Sequence, residues 1–95
     1  MALRRVELYG PARLLAGAKI VDLDLDEGVD LRDVGRALAE WRPALLGPVL
    51  APDFDLLEGY TYNLNGTRFV RDPTHRLESG DVVILMASAA GGCHP

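Results

Sequence analysis

The chain has 95 residues, 48% of them hydrophobic, and a formal net charge of −4. That is one domain with enough apolar mass for its own core, which excludes a disordered or fibrous chain. The ten Lys and Arg are scattered and a single Cys cannot close an internal disulfide, while no apolar run approaches a membrane span. Nucleic-acid binding, a disulfide scaffold and membrane insertion are therefore not expected. The expectation is a soluble cytoplasmic protein that works with protein partners.

The elements follow in chain order. Leu3 to Tyr9 alternates, with Val6 and Leu8 on one side and Arg5, Glu7 and Tyr9 on the other, as in a strand with one buried face. Gly10-Pro11 ends it, and Ala12 to Ala16 is long enough for one helical turn before Gly17. Lys19 to Asp26 alternates again, setting Leu23 and Leu25 against Asp22, Asp24 and Asp26. A short connection between these two strands predicts an antiparallel hairpin. The three aspartates read as a solvated strand edge.

Asp30 predicts a helix start. Its side chain suits the first-turn N–H groups, and Asp33 adds negative charge at the positive end of the dipole. Leu31, Val34, Leu38 and Trp41 form one apolar stripe, and Pro43 ends the helix. Trp41 reads as core. Ala44 to Leu50, interrupted by Gly47-Pro48, allows a turn of helix at most, and Pro52 to Gly59 reads as a polar loop with Phe54, Leu56 and Leu57 tucked beneath it. Tyr60 to Asn65 is a third strand, Asn65-Gly66 a hairpin signal, and Thr67 to Val70 a short fourth strand. After an irregular connection and the turn at Gly80-Asp81, the β-branched apolar run Val82 to Met86 reads as a buried last strand.

One long helix between two hairpins, with the last strand beside the first at the centre, predicts an α+β, ubiquitin-like β-grasp with a mixed five-stranded sheet. The expected core contains Val6, Leu8, Leu23, Leu25, Leu31, Val34, Leu38, Leu64, Val83 and Leu85. Residues 1–87 make up the domain. Residues 88–95 read as a flexible tail, because Ala, Ser and Gly bury too little surface to offset the entropy of ordering.

No catalytic constellation is legible. His75 and His94 lie far apart in sequence, and Cys93-His94 supplies fewer ligands than a zinc site needs. Nothing near Cys93 lowers its thiol pKa. No metal, no catalytic residue and no enzymatic activity are expected. If the first and last strands are neighbours, the outward residues Tyr9, Val82, Ile84 and Met86 form an apolar strip beside the tail with Arg13 at its edge. Such a strip suits a partner protein.

This order of features resembles the ThiS/MoaD family of small sulfur-carrier proteins. The resemblance rests on Val6-Glu7-Leu8-Tyr9-Gly10-Pro11-Ala12-Arg13-Leu14-Leu15-Ala16-Gly17, on the Asp-initiated helix, on Asn63-Leu64-Asn65-Gly66, and on Leu77-Glu78-Ser79-Gly80-Asp81-Val82-Val83 running on to Gly91-Gly92. It implies a carrier whose terminal glycine carboxylate is adenylated with ATP by a ubiquitin-activating-type adenylyltransferase. A sulfurtransferase or another sulfide source then converts it to a thiocarboxylate, which passes sulfur to a biosynthetic enzyme. The chain itself would hold no cofactor stably.

Glycine at positions 91 and 92 lets bare backbone enter a narrow channel, and residues 87–92 reach roughly 17 Å when extended. Two features depart from the family. Ala87-Ser88 stands where a Pro-containing step is usual, and Cys93-His94-Pro95 follows Gly92. The extension implies a JAMM-type metalloprotease that cuts between Gly92 and Cys93. The sulfur acceptor is left open between thio-metabolite, cysteine and molybdopterin or thiamine pathways. The competing reading is a ubiquitin-like modifier, or an interaction module, joined to a lysine through Gly92.

Overall fold

The computed structural model describes residues 2–88. Its elements are β1 (Ala2–Leu8), α1 (Pro11–Ala16), β2 (Ile20–Leu25), α2 (Leu31–Trp41), a 3-10 turn (Pro43–Leu45), β3 (Tyr60–Leu64), β4 (Arg68–Val70) and β5 (Val83–Ala87). The five strands form one sheet in the order β2-β1-β5-β3-β4. The sheet is mixed, as expected of a β-grasp. β1 runs antiparallel to β2 and parallel to β5, while β3 runs antiparallel to both β5 and β4.

Period-two alternation decides which face is buried. In register, Val6 faces Val83, and Leu8, Leu85 and Tyr62 follow one another across three strands. All of these are buried, and the stripe Leu31, Val34 and Leu38 of α2 packs on them. Of the ten residues expected in the core, nine are buried and Leu25 lies partly covered at its margin. The core is larger than expected, because Ala12, Ala16, Leu45, Val49, Leu50 and Leu77 join it from the connections, while Leu56 is tucked under its loop as expected.

Asp30 caps α2 through a reciprocal pair. The Asp33 N–H donates to Asp30 Oδ1 at 2.9 Å, and the Asp30 N–H donates to Asp33 Oδ2 at 3.1 Å. Two more first-turn donors are satisfied from outside the helix, Leu31 N–H by the His75 carbonyl and Arg32 N–H by the Pro73 carbonyl. Since buried helix-end donors need partners, this explains why residues 72–77 are irregular. The other end of α2 stops before Pro43. There the Arg42 guanidinium sits 4.4 Å from the Trp41 ring centroid and donates from Nε to the Ala16 carbonyl at 2.9 Å, tying α2 to α1.

One expectation changes and another is met. The helical turn expected over Ala12 to Ala16 forms as α1 within the β1–β2 connection, with Ala12 and Ala16 buried, and the two strands pair antiparallel as expected. Pro at the first helical position and a left-handed Gly17 at the end bound this helix. Val82 lies just outside β5, which extends instead to Ala87. The Asn65-Gly66 turn forms as read, with φ of 60° and 74°, values that suit a tight hairpin of this hand.

Candidate functional site

The parallel pairing of β1 with β5 puts the ends of both strands at the same edge of the sheet. Tyr9 donates its backbone N–H to the Leu85 carbonyl at 3.0 Å, which seats it beside Met86. Ser88, the last residue described, donates its N–H to the Gly59 carbonyl at 2.7 Å, one step beyond the β5 ladder. The domain is therefore held through residue 88. Gly91, Gly92 and Cys93 lie outside the described residues, as do the adenylation and processing sites expected at them.

Among the described residues, no helix covers the outward face of the sheet, opposite α2. Alternation places Glu7, Ile84, Asn63 and Phe69 in one row across four strands, with Thr61 and Met86 in the next. Here Tyr9, Asn63, Gly66, Phe69, Ile84 and Met86 line a groove of about 260 Å³. Phe69 is 67% exposed and Tyr9 38%, so the walls stand open to an incoming partner. Thr61 and Asn63 lie on the same side and are nonetheless buried.

Among the expected partner-binding residues, Tyr9, Ile84 and Met86 come together in this groove. Val82 does not join them. It lines a separate recess of about 310 Å³ with Arg4, Arg5, Glu27 and Asp81, near the start of β5 and away from the end at Ser88. Arg13 does not line the groove itself; it stands at its margin beside Leu14 and Lys19, near enough to Tyr9 for its charge to act on the phenol. The twist and pairing of the strands divide what reads from sequence as a single strip. Asn63, Gly66 and Phe69 were missed. The Asn65-Gly66 turn could have found Phe69, because it sets the pairing that puts Asn63 opposite Phe69.

The groove's titratable groups are bound to each other. The Tyr9 hydroxyl donates to Glu7 Oε1 at 3.0 Å, which, together with the charge of Glu7, holds the phenol above its ordinary pKa. Lys19 Nζ stands 5.9 Å from the Tyr9 ring centroid. A protonated phenol beside a carboxylate suits binding rather than proton transfer at neutral pH. Among the described residues, no three His, Cys, Asp or Glu side chains are grouped to hold a metal ion. No helix among them is long and apolar enough to cross a membrane.

A mixed sheet with parallel first and last strands at its centre, grasping one long helix, is the ubiquitin-like β-grasp fold. Neither a scan against protein-family models nor a search of curated proteins gives a match. Solved structures do. Small archaeal modifier protein 1 (SAMP1) from Haloferax volcanii superposes with a TM-score of 0.79 at 24% identity, over 96% of this chain and 100% of that one. A putative molybdopterin converting factor, subunit 1, from Pyrococcus furiosus gives a TM-score of 0.71 at 25% identity, over 92% of this chain and 98% of that one. SAMP1 from Methanosarcina acetivorans gives a TM-score of 0.71 at 20% identity, over 97% and 100%. These neighbours are ubiquitin-like β-grasp proteins of the ThiS/MoaD type, and the chain resembles them over nearly its whole length.

Proposed function

We propose that this protein is a ubiquitin-like sulfur carrier whose reacting group is the carboxylate of Gly92, exposed once Cys93-His94-Pro95 has been removed. The observation that carries the reading is the run of the central strand β5 toward Gly91-Gly92 from beside an open apolar groove, in a fold shared with a molybdopterin converting factor subunit. The globule then serves as a handle and the tail as the substrate.

The chemistry divides into two displacements carried out by partners. A ubiquitin-activating-type adenylyltransferase lets a Gly92 carboxylate oxygen attack the α-phosphorus of ATP, and pyrophosphate leaves. Sulfide, or the outer sulfur of a persulfide on a sulfurtransferase, then attacks the acyl carbon and AMP leaves. On the persulfide route a second thiol cleaves the acyl disulfide, becoming oxidised as the thiocarboxylate is released. The thiocarboxylate is a soft nucleophile able to deliver sulfur to a biosynthetic enzyme. No stably bound cofactor is needed on this chain, and ATP is consumed at the activating enzyme.

An amide at Gly92–Cys93 has no carboxylate to adenylate, so the chain as written is a precursor for a JAMM-type metalloprotease. The second reading is a protein modifier, favoured by the likeness to small archaeal modifier protein 1. There the same acyl-adenylate ends in an amide with a lysine amine. One experiment separates them. The intact chain and a chain ending at Gly92 are each given ATP, the adenylyltransferase and sulfide, then weighed by mass spectrometry. The short chain is expected to gain one sulfur and lose one oxygen, with the intact chain inert. Higher-mass adducts from the short chain would support the modifier. Equal thiocarboxylate on both, with Cys93 to Pro95 still attached, would overturn the precursor.

A further inference from the structure

Asn63 is the anomaly of the outward face. It sits on β3 between Ile84 and Phe69, 7% exposed, and its Oδ1 has no hydrogen-bond partner among the described residues. Its neighbour on that face, Thr61, is equally buried but donates its hydroxyl to the Tyr62 carbonyl at 3.1 Å. Asn is a poor strand former, and a buried acceptor without a donor burdens the free protein. A Val or Leu at this position would suit the strand and the apolar walls better. Local rules are broken in this way mostly where a protein binds something.

We infer that Asn63 is a specificity-determining contact for the activating enzyme, which lays an extended segment along the groove, inserts an apolar side chain between Tyr9, Phe69 and Met86, and pairs its main-chain amide with the Asn63 carboxamide. An extended segment fits better than a lone apolar side chain, because its backbone offers both N–H and C=O. Rotation about χ2 exchanges the two ends of the carboxamide, and either end finds its complement there. The length of the chain favours the activating enzyme as occupant. From Met86 to Gly92 the chain spans at most about 20 Å, so whatever holds Gly92 in its active site also stands over this groove. This inference rests on the carrier reading above and adds the contact that selects the partner.

The test uses chains ending at Gly92 and the adenylyltransferase of the source organism, following ATP–pyrophosphate exchange against carrier concentration. Asn63→Leu and Asn63→Val are compared with wild type, with thermal unfolding of each measured alongside. The expected result is a KM for carrier raised about three- to tenfold, the worth of one net hydrogen bond, with kcat unchanged and an unfolding temperature equal to wild type or higher. A merely structural Asn63 would lower the unfolding temperature and leave KM alone. A folded variant with wild-type KM overturns the inference and leaves the carrier reading standing. No exchange even with wild type overturns both. Concentration-dependent dimers of wild type that Asn63→Leu abolishes would make a second copy of this chain the occupant, and would also overturn it.

Discussion

Asn65 and Asp81 join the β3–β4 turn to the start of β5. The Asn65 Nδ2 donates to Asp81 Oδ1 at 2.9 Å, and Asn65 Oδ1 accepts the Val82 N–H at 2.8 Å. The second Asp81 oxygen accepts the Glu78 N–H at 2.8 Å, closing the turn that precedes the strand. Together these bonds set where β5 begins. With the ladder beside it, that sets where the chain leaves the sheet.

This linkage makes stability depend on pH. The Asn65 amide and then the Glu78 N–H hold the Asp81 carboxyl below its ordinary pKa, and the Thr74 hydroxyl and N–H do the same for Asp72. A depressed folded-state value stabilises the fold above the unfolded Asp value of about 3.9, and that contribution is lost as pH falls through the folded value beneath it. Urea unfolding at neutral pH and at about pH 3 is expected to show the loss, and Asp81→Asn to remove part of the difference. An unchanged pH dependence in Asp81→Asn would exclude Asp81 as a contributor.

Arg4 fastens the same turn from the core side. It is 6% exposed, and its Nη1 donates to the carbonyls of Glu78 at 3.0 Å and Asp81 at 3.2 Å. Arg4→Met keeps the apolar stem but takes the guanidinium from both carbonyls, leaving Glu78 with only the Asp81 N–H at 3.1 Å and Asp81 without that donor, an expected cost of about 1–3 kcal/mol. Denaturant titration checks this. A Met variant as stable as wild type would show that water replaces the guanidinium without penalty.

Gly35 lies in the middle of α2, where Ala ordinarily stabilises a helix by up to about 1 kcal/mol. Here the opposite is expected, because a Cβ at this position overlaps the Phe54 carbonyl. Phe54 has little room to retreat. Its φ is +69°, its N–H donates to the Ala51 carbonyl at 2.8 Å, and Arg36 lies 5.6 Å from its ring centroid. Gly35→Ala should therefore lose roughly 1–3 kcal/mol. A rise in its unfolding temperature would show that the loop yields freely.

Local chemistry alone makes several features of the fold legible. Alternation in Val6 and Leu8 names the buried face of β1, Asp30 with Asp33 names the start of α2, and Asn65-Gly66 names the hairpin. Each depends on residues within a few positions of one another, which is the range of backbone propensity and capping. Arg4 is not legible as a core-facing group, because its partners are 74 and 77 residues away. The burial of Leu45, Val49 and Leu50 is equally hidden. A loop gains a buried side only when it is laid across another element, and the sole local hint is a glycine inside a helix.

The site divides along the same line. The residue types of an apolar strip and a small-residue tail are written in the chain, because hydrophobicity and side-chain volume belong to each residue alone. Which of those residues share a groove is not. Tyr9, Ile84 and Met86 meet there, Val82 falls elsewhere, Arg13 stays at the margin, and Asn63 and Phe69 enter from strands read only as core and hairpin. Strand pairing decided this, since a β-strand shows its neighbours alternate side chains, and those neighbours come from opposite ends of the sequence.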